Sequence, residues 1–154
     1  MRWSARGIGV ACAIAAYVVD QMSKGAAIAF FAQLEAGIEI LPVFNLVLIR
    51  NRGVSFGLMK ELPWWGLAFL GLAIVTVLSV WLWRAGSRLS GAAIGLIIGG
   101  ALGNIADRIR WGGVTDFLDF HIDEYHWPAF NFADVAIVSG VGLMLLKRPK
   151  PQST

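Results

Sequence analysis

The chain has 154 residues, 57% of them hydrophobic and only 15% charged, with a mean hydropathy of +0.67 and a formal net charge of +3. A soluble domain carries about a quarter charged residues, so the composition excludes one and reads as a membrane protein. The lone Cys12 excludes an internal disulfide and any cysteine-rich zinc site.

A helix needs about 20 apolar residues to cross a hydrocarbon core of roughly 30 Å, and four stretches approach that length. The first runs from about 7 to 32 and is broken by Asp20, Gln21 and Lys24. A signal peptide cleaved at Cys12 is disfavoured, because the apolar run continues through Val19. Next, Leu41 to Met59 is rich in β-formers, with Asn51, Arg52 and Gly53 as a three-residue hairpin turn, which predicts a small sheet. The second span, Trp64 to Trp83, has no charge and tryptophans at both ends, as interfaces favour. The third, 89–106, repeats glycine at 91, 95, 99 and 103, a strip of bare backbone for close helix approach. The segment 107–129, containing "WGGVTDFLDFHIDEYHWP", predicts a loop or interfacial helix, with Asp119, Asp123 and Glu124 on a solvated face. The fourth span, 130–146, ends at the basic "KRPK".

Basic residues set the orientation. Arg2 and Arg6 precede the first span, Arg84 and Arg88 separate the second and third, and Lys147, Arg148 and Lys150 follow the fourth. By the positive-inside rule both termini are cytoplasmic, and 33–63 and 107–129 lie outside. The basic excess is therefore topological and implies no nucleic acid partner. The expected fold is a single domain over 1–154, an all-α membrane protein of four transmembrane helices with a small extracytoplasmic β-sheet.

Ionised side chains inside a bilayer cost about 2.5 to 3.5 kcal/mol at the helix centre, so they face protein or water. Asp20 with Lys24, Asn104 with Asp107 and Arg108, and Asn131 with Asp134 all fall at the outer ends of their helices, which predicts one polar chamber. Structural roles compete for each. Asp20 and Lys24 can be an intrahelical pair, Asp107 and Arg108 a brace, Asn131 a helix cap and Asn51 a turn residue. Asp134 resists that reading, since a helix dipole returns only about 0.3 to 1 kcal/mol. Asp116 is its natural partner; Asp107 competes, but Arg108 should keep it ionised. Two close carboxylates share one proton and can activate water without metal or cofactor. His121 and His126 have no familiar ligand spacing, and no Ser, His and Asp set is evident. A small proton or ion carrier is the alternative function, opposed by charges gathered at one face and a second span without any.

Five ordered motifs, "DQMSK", "NRGVSFG", "GGALGNIADR", "GGVTDF" and "PAFNFAD", resemble those of lipoprotein signal peptidase, signal peptidase II, over nearly the whole chain. The resemblance implies an aspartic endopeptidase of the bacterial cytoplasmic (inner) membrane, of the class targeted by globomycin. It would cleave diacylglyceryl prolipoproteins just before the lipid-modified cysteine, with membrane lipid as its surroundings and no cofactor. It implies Asp116 and Asp134 as the catalytic dyad, with Asn104, Arg108 and Asn131 lining the site. Asp20, Lys24 and Asn51 would stand near a substrate-contacting rim, Gly53 would keep the turn, and Asp107 would brace the site. Arg52, Val54 and Ser55 replace a frequent Thr and two alanines, and Thr115 a frequent valine.

Overall fold

Glycine spacing organises the helices. A computed structural model describes residues 4–31, 37–53 and 63–146. Helix α1 spans Ala5–Phe31, α2 Trp64–Trp83, α3 Arg88–Trp111 and α4 Phe132–Leu145. On α3, a methyl group at Gly91, Gly95 or Gly99 would collide with the backbone oxygens of Ala5, Gly9 and Ala13 in turn. The four-residue period is thus the track along which α1 lies parallel to α3. On another face α4 runs antiparallel at similar closeness: a Cβ at Gly140 would stand 2.6 Å from the Ala93 carbonyl oxygen. The third neighbour is α2, whose Ala68, Val75, Leu78 and Leu82 form a core with Ile94, Ile97, Ile98 and Ile105 of α3. Among the described residues α2 and α4 do not pack on each other, which leaves a cleft floored by α3.

Among the described residues two helices, α2 and α3, are long and apolar enough to cross a membrane. Helix α1 carries Asp20 and Lys24 in its interior, and α4, with 14 residues, is about 21 Å long. Four helices are present among the described residues, as expected, while length and apolarity alone support two of them as spans.

The segments between the helices form, among the described residues, one antiparallel sheet in the order β1-β2-β3-β4. Its strands are β1 Ile38–Leu41, β2 Phe44–Asn51, β3 Val114–Ile122 and β4 Tyr125–His126. This corrects one expectation. The segment after the third span is neither loop nor interfacial helix: α3 continues to Trp111, Gly112 ends it with a left-handed φ of 69°, and β3 follows directly. The β-branched and aromatic positions of "VTDFLDFHI" carry a strand despite its three charged or ionisable polar residues. The sheet also contains a hairpin that the sequence reading did not place. Its turn is at Pro42 and Val43, between β1 and β2. At Asn51 the chain does bend, with Asn51 Oδ1 accepting from the Gly53 amide at 3.0 Å, but the second arm expected over 54–59 lies outside the described residues.

Candidate active site

The sheet sits against the ends of α1, α3 and α4 where the polar residues of the helices collect. Lys24 is the hub. Its ammonium is 2.9 Å from Asp20 Oδ2, one helical turn back, and 3.4 Å from Asp107 Oδ2 on α3, and it donates to Asn104 Oδ1 at 3.0 Å. All three charged residues are buried. Asp20 also reaches α4, its Oδ1 accepting the Ala133 amide at 2.9 Å, and Gly103 leaves room for its carboxylate. Asp107 Oδ2 accepts the backbone amide of Thr115 at 2.8 Å. The ion cluster therefore ties α1 to α4 and α3 to the start of β3, one residue before Asp116.

Asp116 is held by two asparagines. Asn131 Nδ2 donates to its Oδ1 at 2.6 Å and Asn51 Nδ2 to its Oδ2 at 3.0 Å. The second bond follows from strand register: Asn51 pairs with Val114, so Asp116 is its diagonal neighbour on the same face. Burial pushes the Asp116 carboxyl up to about 6; the charge of Asp134 adds to the rise, and the bonds from Asn51 and Asn131 oppose it.

Asp134 stands in the first turn of α4. Asn131 Oδ1 accepts the Asp134 amide at 3.1 Å, and Asp134 Oδ2 accepts the Asn131 amide at 3.3 Å, a reciprocal cap. Asp134 Oδ1 accepts from Asn104 Nδ2 at 3.0 Å. Asn131 thus contacts both carboxylates, one through its side-chain amide and the other through its backbone. Both carboxylates line one cavity of about 290 Å³ in the cleft between α2 and α4. Its polar wall also holds Asn51, Gly53, Asn104 and Arg108, and its apolar wall includes Leu67, Leu70 and Ile74 of α2. Arg108 donates to the Gly53 carbonyl at 3.1 Å and to the Asn104 carbonyl at 3.2 Å, while its buried Nε has no partner among the described residues.

The sequence model of the signal peptidase (SPase) II family, Peptidase_A8, matches residues 12–148. The chain belongs to the signal peptidase II family. It is similar to the lipoprotein signal peptidase of Beijerinckia indica subsp. indica, 42% identical over 147 residues, 93% of this chain and 88% of that one. The lipoprotein signal peptidase of Methylorubrum extorquens is 49% identical over 119 residues, 74% of this chain and 70% of that one. Two solved structures, each titled as a bacterial membrane enzyme, superpose with TM-scores of 0.79 and 0.76 at 27% and 30% identity. They cover 96% and 93% of this chain, and this chain covers 94% and 95% of theirs. As a signal peptidase II, the protein is a protease of lipoprotein processing.

Within this signal peptidase II, all ten residues singled out from the sequence are at one end of the bundle. Asn51, Gly53, Asn104, Arg108, Asp116 and Asp134 line the cavity, and Asn131 bonds to both acids. Asp20, Lys24 and Asp107 stand behind it as the buried ion cluster rather than on a rim. Three further residues differ from expectation or were missed. Asp119 is buried, not solvated, and bonds to Asn45 Nδ2 at 3.1 Å and His126 Nδ1 at 2.9 Å. The Thr115 hydroxyl turns away from the acids and accepts from Arg50. Gln21 bridges, donating to Asp20 at 3.1 Å and accepting from Arg110 at 2.8 Å; its place inside an apolar span, beside Asp20 in "DQMSK", was the signal that could have found it.

Proposed function

We propose that the protein is an intramembrane aspartic endopeptidase in which Asp116 and Asp134 cleave diacylglyceryl-modified prolipoproteins just before the lipid-bearing cysteine. The observation that carries this reading is Asn131. One residue bonded to both carboxylates, at 2.6 Å and 3.3 Å, fixes one acid from β3 and one from α4 around a common cavity. The Asp116 carboxyl, pushed up to about 6 by burial, suits a pair that keeps one proton between them.

In the reaction so proposed, the ionised member takes a proton as water oxygen bonds to the scissile carbonyl carbon. The protonated member meanwhile donates to the carbonyl oxygen. As the tetrahedral intermediate collapses, the C–N bond breaks and the departing cysteine amine receives a proton from the pair. One product ends in a carboxyl group and the other begins with the lipidated cysteine. Asn51, Asn104 and Asn131 hold the carboxylates in place, and Arg108 supplies positive charge beside them.

Location follows the same proposal. The exposed side chains of α2 include Phe69, Leu72, Val77 and Val80, hydrocarbon groups that suit lipid contact, and the exposed Thr76 and Ser79 donate their hydroxyls to the helix's own carbonyls. All four helices would cross the bacterial inner membrane, with both termini cytoplasmic and the dyad near the outer face. Purified diacylglyceryl prolipoprotein in detergent tests the reading. Asp116→Asn and Asp134→Asn should each lower kcat by at least about a thousandfold while the protein stays folded, and chelators should change nothing. Full turnover by either variant would end the dyad assignment.

A further inference from the structure

Asp134 borders a second cavity. It and Ile137 line both the cleft already described and a groove of about 530 Å³ on the far side of α4. The groove runs between Trp127, Pro128 and Phe130 on the segment entering α4 and Val135, Val138 and Ser139 on the helix itself. From Asp134 to Ser139 the helix rises about 7.5 Å. Val135, Val138 and Ser139 are exposed, so the groove leaves the carboxylate and opens sideways on an apolar helix face.

The two cavities differ in what they can satisfy. The first offers Asn51, Asn104 and Arg108 beside the acids, groups that can pair with the amides of an extended peptide. The side chains of the second are hydrocarbon except for Asp134, the Ser139 hydroxyl and the Trp127 indole. An extended peptide laid there would leave several backbone groups unpaired, each costing about 1 to 3 kcal/mol. An alkyl chain has no such groups, and a volume of 530 Å³ lies in the range of about 300 to 1,000 Å³ usual for sites of small ligands.

The substrate chemistry proposed above ties these spaces together, and the inference rests on that reading. The modified cysteine follows the scissile bond directly, so its thioether-linked diacylglyceryl group begins only a few bonds from the reacting carbonyl. We infer that the groove of Trp127, Phe130, Val135, Val138 and Ser139 is the acyl-chain subsite, while the cleft between α2 and α4 takes the peptide. Asp134 is the partition: one side faces the bond to be broken and the other borders the lipid that identifies it. Acyl chains seated there would also anchor the cysteine along α4, so that only a bond at a fixed offset from the lipid reaches the dyad.

Chain-length selectivity tests this. Purified enzyme is given one prolipoprotein bearing either dipalmitoyl or dihexanoyl glyceryl cysteine. Ser139→Trp and Val138→Trp, which fill the groove, should raise the ratio of KM for the long-chain to the short-chain substrate about tenfold. Leu72→Trp, on an exposed α2 face outside both cavities, should leave the ratio at its wild-type value. Equal increases for both substrates, or an altered preference for the residues before the cysteine with no chain-length effect, would give the groove to bilayer lipid or to peptide and overturn the inference. Should the filling variants not fold, the wild-type enzyme is irradiated with a substrate carrying a diazirine at the acyl terminus. Labelling of 135–139 supports the subsite, and labelling of α2 instead refutes it. Loss of the dyad assignment would show separately, as turnover by Asp134→Asn.

Discussion

Lys24 joins α1 to α3 through one ammonium group. With Asp20 at 2.9 Å and Asp107 at 3.4 Å, it stands between two buried carboxylates that would otherwise repel. Breaking a buried pair by removing one partner costs about 3 to 5 kcal/mol, because the remaining charge is stranded. Lys24→Met should therefore depress the melting temperature sharply, and adding Asp20→Asn should recover part of the loss; a double variant no better than the single would separate these charges. Asp116 makes the opposite kind of contribution. Its folded pKa of about 6 lies above the usual unfolded value near 3.9, so the folded state binds the proton more tightly. Its stabilising contribution is complete below about pH 4 and is lost as pH rises through 6. Asp116→Asn should accordingly melt about 3 °C or more above wild type at pH 8, with the gap closing at pH 4. A gap that stays constant with pH would mean that the carboxyl ionises without penalty.

At the scale of elements, the glycine track on α3 makes the sharpest demand. Gly95→Ala would set a methyl group against the Gly9 carbonyl and force α1 away. Since α1 carries Lys24, the displacement should reach the dyad, and we expect loss of both thermal stability and turnover. Gly25→Ala and Gly142→Ala, which meet nothing within 4 Å, should be neutral or stabilise by up to about 1 kcal/mol. Equal sensitivity at all three positions would argue against close approach. This packing was legible in the sequence because spacing by four repeats on one helical face, and the charge-free α2 was legible in full. Strand β3 was not. Its acids and the two glycines before it imitate a loop, and its signal is a long-range pairing with β2 that no local pattern announces. Asp119 was misjudged for the same reason: an aspartate among acids looks solvated until Asn45, 74 residues away in sequence, comes to meet it. The convergence of Asp116 and Asp134 was inferred from chemistry, whereas the role of Asn131 in joining them needed three dimensions, since capping α4 already explained it.

For the whole molecule, the proposed topology predicts accessibility. In a Cys12→Ala background, a cysteine replacing Tyr125 at the exposed tip of the sheet should react with an impermeant thiol reagent applied to spheroplasts. One replacing Gly86, in the turn between α2 and α3, should react only after lysis. The reverse pattern would invert the protein in its membrane. The bundle itself is secured through α3, which every other helix touches. The first turn of α4 has a different status, because the bonds that begin this helix are the bonds that aim Asp134. Helix ends fray at far lower free energy than a protein unfolds. Moderate heat should thus silence the enzyme reversibly, by opening residues 131–134, while tryptophan fluorescence still reports an intact bundle. A bound ligand that bridges Asn131 and Asp134 would then act as a splint, raising the temperature of inactivation far more than that of melting.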